Sequence, residues 1–197
     1  MMLDQRAIII AAYPSRDADL MLHCLSETAG KLVFLARNSR SSKRRYGSHF
    51  DVFDCGVFSL KKGKGGMLLV DSFKSESSYS NLRSSLDQLV SASLVCECFS
   101  VLSHECEPKE AKELFDLLDL TLKAISENAT TKSCLRNSFL GIGGLLQHCG
   151  YTSASDMPSP SAKGLMQLLS SVETNGQRAL KSKQQIVHLM QSVKNAA

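Results

Sequence analysis

The sequence has no tryptophan and few aromatic residues, and it has no long apolar run. Its longest stretch without Asp, Glu, Lys or Arg, 137–155, is interrupted by Gly141, Gly143, Gly144, Gln147, His148 and Gly150, unlike the continuous apolar segment a bilayer span requires. The first apolar run, 7–12, is too short for the core of a secretion signal and follows Asp4 and Arg6, so no export signal is expected. Seven cysteines form an odd set with none beyond Cys149, so free thiols in a reducing, cytoplasmic compartment are expected. The glycine cluster Gly141-x-Gly143-Gly144 lacks the Lys-Ser/Thr of a phosphate loop and sits in an apolar segment, where close helix packing explains it. Ser48, His49 and Asp51 are sequence neighbours without a nucleophile-elbow pattern, and no Lys-x-Asp-Gly adenylation motif follows the basic residues. Cys96, Cys98, His104 and Cys106 are crowded, but helical residues two apart point to different sides, so buried thiols are expected there in place of a metal site. No catalytic apparatus and no cofactor are expected.

What is present is an ordinary apolar fraction, enough for a packed core, and an uneven charge distribution. Twelve basic residues face eight acidic ones up to Ser78, four face nine over 79–130, and seven face two from Thr131 onward. Basic density peaks where Arg37, Arg40, Lys43, Arg44, Arg45, Lys61, Lys62 and Lys64 meet only Asp51 and Asp54. Such a stretch suits a polyanion, because each cation that neutralises a phosphate releases counterions. Eight of the twelve aromatics also fall within the first 79 residues. Phe34, Phe53, Phe58 and Phe73 read as core; Tyr46 and Phe50 are balanced between core and a base-stacking role.

The hydrophobic period divides the chain in two. Apolar runs at 6–13, 19–26, 31–37, 50–60 and 67–73 read as strands, with a hairpin at Thr28-Ala29-Gly30 and a bulge near Gly56. Five short strands around one long basic excursion suit an OB-type β-barrel over residues 1–78. Over 79–197 the period becomes helical. One stripe runs through Leu82, Leu86, Leu89, Val90, Leu94, Cys98 and Leu102, and a second, opened by Pro108, through Ala111, Leu114, Phe115, Leu118, Leu122 and Ile125. Further helices are expected over 135–149, with Gly150 as the stop, and over 162–172 and 177–193. The predicted fold is α+β: an N-terminal five-stranded OB-type barrel followed by an all-helical domain.

Several local patterns, in order, resemble the RecO family. They are Tyr13-Pro14 before the polar turn Ser15-Arg16-Asp17; Leu25-Ser26-Glu27-Thr28-Ala29-Gly30-Lys31; Ala36-Arg37-Asn38-Ser39-Arg40 with Lys43-Arg44-Arg45-Tyr46; and Lys61-Lys62-Gly63-Lys64-Gly65-Gly66. In the helical half, Pro108 with Leu114-Phe115-Asp116-Leu117-Leu118 and Leu145-Leu146-Gln147-His148-Cys149-Gly150-Tyr151 continue the resemblance, which covers about 6–151. Two departures stand out. Asn38 occupies the position of a family glycine, a swap that left-handed backbone permits, and the four-cysteine zinc ribbon that many members carry after Gly-Tyr is absent. The resemblance implies a non-enzymatic, bacterial, nucleoid-associated protein of recombinational repair. Such a protein binds single- and double-stranded DNA, anneals complementary strands and assists recombinase loading with RecR. It implies DNA contacts from Arg37, Arg40, Lys43, Arg44, Arg45, Tyr46, Lys61, Lys62 and Lys64. It also implies that the acidic-apolar C-terminal tail of the single-stranded DNA-binding protein docks on the helical domain, with Lys132, Arg136, Arg178, Lys181 and Lys183 as candidate contacts. A barrel that scaffolds protein or structured RNA is the alternative reading of the same residues.

Overall fold

The computed structural model describes residues 2–15, 18–39, 50–76 and 79–195. Five strands, β1 (Met2–Pro14), β2 (Leu20–Ser26), β3 (Gly30–Ala36), β4 (Cys55–Lys62) and β5 (Leu68–Glu76), close into a barrel in the order β1-β2-β3-β5-β4. The expected OB-type barrel is therefore present. β1 is long enough to serve two neighbours: Met2 to Ile8 pair with β4, and Ala7 to Pro14 pair with β2. Closure is made by a short parallel contact in which Phe34 faces Leu68 and Leu35 faces Leu69.

Alternation along the strands fills the interior. Ala7, Ile9, Leu22, Cys24, Phe34, Ala36, Phe58, Leu60 and Val70 form the core together with Phe50. The ring centroids of Phe34 and Phe58 lie 5.2 Å apart, Phe58 and Phe73 4.5 Å, and Phe50 and Phe73 5.3 Å, the spacing of favourable aromatic pairs. The run expected as one strand over 50–60 with a bulge at Gly56 is built differently. The strand begins at Cys55, and Asp51–Asp54 form a turn in which Phe53 takes a left-handed φ of 76°. Phe53 N–H donates to the Ile9 carbonyl (2.8 Å) and Ile9 N–H to the Asp54 carbonyl (2.9 Å), so this turn is tied to β1 where its register with β2 shifts, between Ile9 and Ala11. The change in apolar parity thus marks the turn-to-strand junction, and the irregularity of β4 lies further along, where its register with β5 shifts between Ser59 and Leu60.

Five helices follow: α1 (Leu86–Leu102), α2 (Pro108–Glu127), α3 (Thr131–His148), α4 (Ala162–Gly176) and α5 (Lys183–Asn195). Where the helical stripe was expected to open, at Leu82, there is a single 3-10 turn, Ser80–Arg83, and Leu86 and Leu89 of the expected stripe are 71% and 38% exposed. α1 instead packs against α3, α4 and α5 and is buried on most sides, which brings in Val95, Cys96 and Phe99. Buried Gln88 donates from Nε2 to the carbonyls of Ile125 and Ser126, both at 2.9 Å, satisfying acceptors in the last turn of α2. The stripe Ala111 to Ile125 on α2 is buried as expected, and α2 opens at Pro108. α3 starts earlier than expected because the Thr130 side chain accepts from Ser133 N–H, and Gly150 ends it with a φ of 73°. A Cβ on Gly141 would lie 2.5 Å from Thr121 Cγ2, so the glycines of α3 do serve close packing. The last helix begins at Lys183, later than expected, because Gln177 turns left-handed (φ 49°) and caps α4.

By compactness the chain separates into Met1–Ser78 with Ser103–Asp116, and Tyr79–Leu102 with Leu117–Ala197. In the first unit the β2–β3 hairpin is held by the segment after α1. Gly30 pairs with Glu105, Lys31 N–H donates to the His104 carbonyl (2.9 Å), and Cys106 N–H to the Ala29 carbonyl (3.2 Å). Arg6 adds an ion pair to Glu76 at 2.9 Å and stacks over Phe115 at 4.8 Å.

Gly30 has a φ of 68°, and a Cβ there would lie 2.4 Å from the His104 carbonyl oxygen; Gly65 has a φ of 72° and open space around it. Gly30→Ala therefore combines backbone strain with a backbone clash and is expected to cost at least about 2 kcal/mol, against about 1 kcal/mol for Gly65→Ala. Urea unfolding of both variants measures the difference, and equal losses would contradict the clamp.

Candidate nucleic-acid interface

The barrel's closure decides which cations meet. β3 delivers Arg37 at its end, where Asn38 takes a left-handed φ of 55° and donates its N–H to Asp19 Oδ1 at 2.9 Å. Asparagine thus supplies the backbone that a glycine would otherwise provide. β4 delivers Lys62, and the turn into β5 is closed by Gly63 N–H donating to the Met67 carbonyl at 2.8 Å. Because β3 and β5 are neighbours, these two ends line one groove of about 750 Å³, formed by Leu35, Arg37, Lys62, Gly63, Lys64, Met67 and Leu69. Its apolar lining is Leu35, Leu69 and the exposed Met67, and it also carries three exposed cations. Such an arrangement can hold phosphate oxygens at the rim while covering something apolar below.

The remaining sequence-predicted contacts are placed elsewhere. Lys61 is not among the groove's lining residues and pairs with Asp71 on β5 at 2.7 Å, where its charge is offset. Arg40, Lys43, Arg44, Arg45 and Tyr46 lie outside the described residues. Phe34, Phe50, Phe53 and Phe58 are all buried, so Phe50 belongs to the core and not to the surface. Exposing it to meet a base would forfeit core packing that typically costs about 3–5 kcal/mol to lose.

In the helical unit, Lys132 and Arg136 are exposed on the first two turns of α3, while Arg178 and Lys181 lie on the α4–α5 connection. Lys183 lines a groove of about 600 Å³ with Leu180, Gln184, Val187 and His188, and its ammonium also pairs with Glu173. Two carboxylates fix this connection, a signal sequence reasoning missed. Glu97 accepts from the N–H groups of Lys181 and Ser182, both at 2.8 Å, and Glu173 accepts from Leu180 N–H at 3.0 Å. Glu97 thereby satisfies donors just ahead of α5, the role of a helix N-cap.

Most of the thiols are buried. Cys24, Cys55, Cys96, Cys98 and Cys134 are buried and unbridged, and Cys106 and Cys149 are partly buried. Burial raises the Cys24, Cys96 and Cys98 thiols well above their ordinary value, and pushes Cys134, beside Asp87, up to about 11. Among the described residues no group of three His, Cys, Asp or Glu side chains could hold a metal ion, and no helix is long and apolar enough to cross a membrane.

Residues 1–79 match the family model described as Recombination protein O N terminal. The chain is 28% identical over 136 residues to the DNA repair protein RecO of Desulfatibacillum aliphaticivorans, a match covering 68% of this chain and 52% of the relative. It is 30% identical over 122 residues to the DNA repair protein RecO of Syntrophus aciditrophicus, covering 61% and 46%. The corresponding protein of Dehalococcoides mccartyi is 29% identical over 133 residues, covering 66% and 51%. The chain spans about half the length of the curated relatives it matches.

The Glu173 site yields a pH dependence. Its carboxyl is held below the usual carboxylate range, first by the hydrogen bond from Lys183 and then by Leu180 N–H. A lowered carboxyl contributes stability above its unfolded pKa, near about 4.3, and that contribution is lost as pH falls through the lower folded value. Glu173→Gln is expected to cost about 1 kcal/mol at pH 7 and to flatten the stability profile below about pH 4.5. Urea midpoints between acid and neutral pH check this, and an unchanged profile in the variant would remove the assignment.

Proposed function

We propose that this chain, whose residues 1–79 match the RecO N-terminal family model, is a non-enzymatic DNA-binding protein of recombinational DNA repair. The observation that carries the reading is the convergence of Arg37 with Lys62 and Lys64 on one groove of the barrel. Three cations along one rim neutralise phosphates without reading sequence, so the same groove serves single- and double-stranded DNA. Charge neutralisation also lowers the repulsion between two complementary strands, which gives a route to annealing that needs neither nucleotide nor bond chemistry. In this reading the protein assists recombinase loading together with RecR. The groove beside Lys183 offers an apolar wall and nearby cations to the acidic-apolar tail of the single-stranded DNA-binding protein.

Binding to a labelled, unstructured oligonucleotide measured across a range of salt concentration tests the proposal. Affinity should fall steeply with salt. The combined Arg37→Ala, Lys62→Ala and Lys64→Ala variant should lower the log–log slope by about 2, at roughly 0.7 per phosphate contact on a single strand. Lys61→Ala should leave the slope nearly unchanged, because Asp71 already occupies that ammonium. Salt-independent binding, or a triple variant indistinguishable from the parent, would contradict it.

A further inference from the structure

The connection between α3 and α4 closes a pocket of about 230 Å³ in the helical unit. Leu146, Pro158 and Leu168 supply its apolar wall, and Tyr151, Asp156 and Gln167 its polar groups. Local chemistry builds it. Gly150 turns the chain out of α3 with its left-handed φ of 73°, and Tyr151 N–H donates back to the Leu146 carbonyl at 2.9 Å. Two close approaches then pin the connection to the helices. A Cβ on Gly143 of α3 would collide with Met157 Cε, and one on Gly164 of α4 would collide with the Ser159 carbonyl oxygen. The Ser161 side chain accepts from Gly164 N–H at 3.1 Å and caps α4. The frame is therefore fixed by packing that needs no ligand.

The charges of this region are unusual. From Thr131 onward the sequence has only two acidic side chains, Asp156 and Glu173. Lys183 engages Glu173. Among the described residues no cation pairs with Asp156, which accepts from Ser153 Oγ through Oδ2. The pocket lining contains no Lys, Arg or His, and the Tyr151 ring beside this carboxylate in the lining is 46% exposed.

We propose that this pocket takes the guanidinium of an arginine presented by a partner protein. A flat cation can lie on the Tyr151 ring while its N–H groups donate to Asp156 and to the Gln167 amide oxygen. Its methylene stem can then cover the apolar wall. Other ligands leave part of the lining unused. An anion would meet Asp156 with no cation in the lining to offset it. A lysine ammonium is a compact, strongly hydrated point charge and lacks the plane that fits a ring and a carboxylate together. A neutral sugar could stack on the ring but would leave the carboxylate without a counter-charge. The volume lies below the roughly 300–1,000 Å³ of pockets for whole small molecules, so it suits one side chain. The pocket belongs to the helical unit alone, and its ligand does not depend on nucleic acid binding to the barrel.

Titration of the intact, isotope-labelled chain with Nα-acetyl-arginine amide, an arginine as it occurs inside a polypeptide, tests this by NMR. The side-chain amide of Gln167 should move saturably. Nα-acetyl-lysine amide should bind at least about threefold more weakly, free arginine no more tightly than the amide, and glucose should leave the signal in place. Asp156→Asn, which keeps an acceptor for Ser153, should weaken the arginine amide by at least about tenfold, the lower end for a hydrogen bond to a charged group. Tyr151→Leu, which keeps apolar bulk, should weaken it by at least about twofold. Matching thermal melts of the three proteins show that the unit is intact. No saturable shift, equal binding of arginine and lysine amides, or an Asp156→Asn chain that binds like the parent would overturn the proposal. Saturable glucose binding would make this a sugar pocket, and tighter binding of free arginine would make its ligand the amino acid itself; either result overturns docking of a partner's arginine.

Discussion

The closure of the barrel by two parallel residue pairs, Phe34 with Leu68 and Leu35 with Leu69, is the constraint on which the site depends. Without it Arg37, at the end of β3, and Lys62, at the end of β4, would lie near opposite edges of an open sheet joined only through β1. The contact is short, and the interior holds it. Phe34, Phe58 and Phe73 come from β3, β4 and β5, the strands that the closure joins, and stand 4.5–5.2 Å apart in sequence along the cluster. Each buried phenylalanine contributes about 1.5–3 kcal/mol of transfer free energy. Four of the chain's twelve aromatics, Phe34, Phe50, Phe58 and Phe73, are thus committed to the barrel interior.

Strand geometry then sorts the charges that the sequence concentrates. Lys61 and Lys62 are adjacent in the chain, and the register sets Lys61 opposite Leu69 and Lys62 opposite Leu68 at the end of β4. Lys62 reaches the groove, while Lys61 meets Asp71. The net positive count of a segment therefore overstates the charge available to a polyanion, because part of it is offset by partners that only the pairing register reveals. The helical unit shows the same effect: Lys183 reaches its apolar groove but shares its charge with Glu173.

Much of this architecture was legible because local chemistry and tertiary structure agree. Gly30, Asn38 and Gly150 sit in left-handed backbone where turns and a helix end were read, and Pro108 opens α2. The rest failed for identifiable reasons. Phe50 and Phe53 look like strand residues, but they reach the core from a turn, because a buried turn has the same apolar composition as a strand. Leu86 and Leu89 fit a helical stripe, yet α1 has partners on several sides, so periodicity no longer identifies its buried face. Gln88 was invisible because its two acceptors lie 37 and 38 residues away. The exposure of Tyr13 was missed for the subtlest reason. Alternation from Ala7 and Ile9 would turn it inward, and the register shift between Ile9 and Ala11 turns it out.

The central claim is that one rim, built from two separate strand ends, takes the phosphate backbone. Lysine acylation followed by mass spectrometry, with and without bound oligothymidylate, measures it residue by residue on the intact chain. The account predicts that Lys62 and Lys64 become protected on binding while the neighbouring Lys61 keeps its reactivity. Equal protection of all three, or protection confined to lysines of the helical unit, would contradict it.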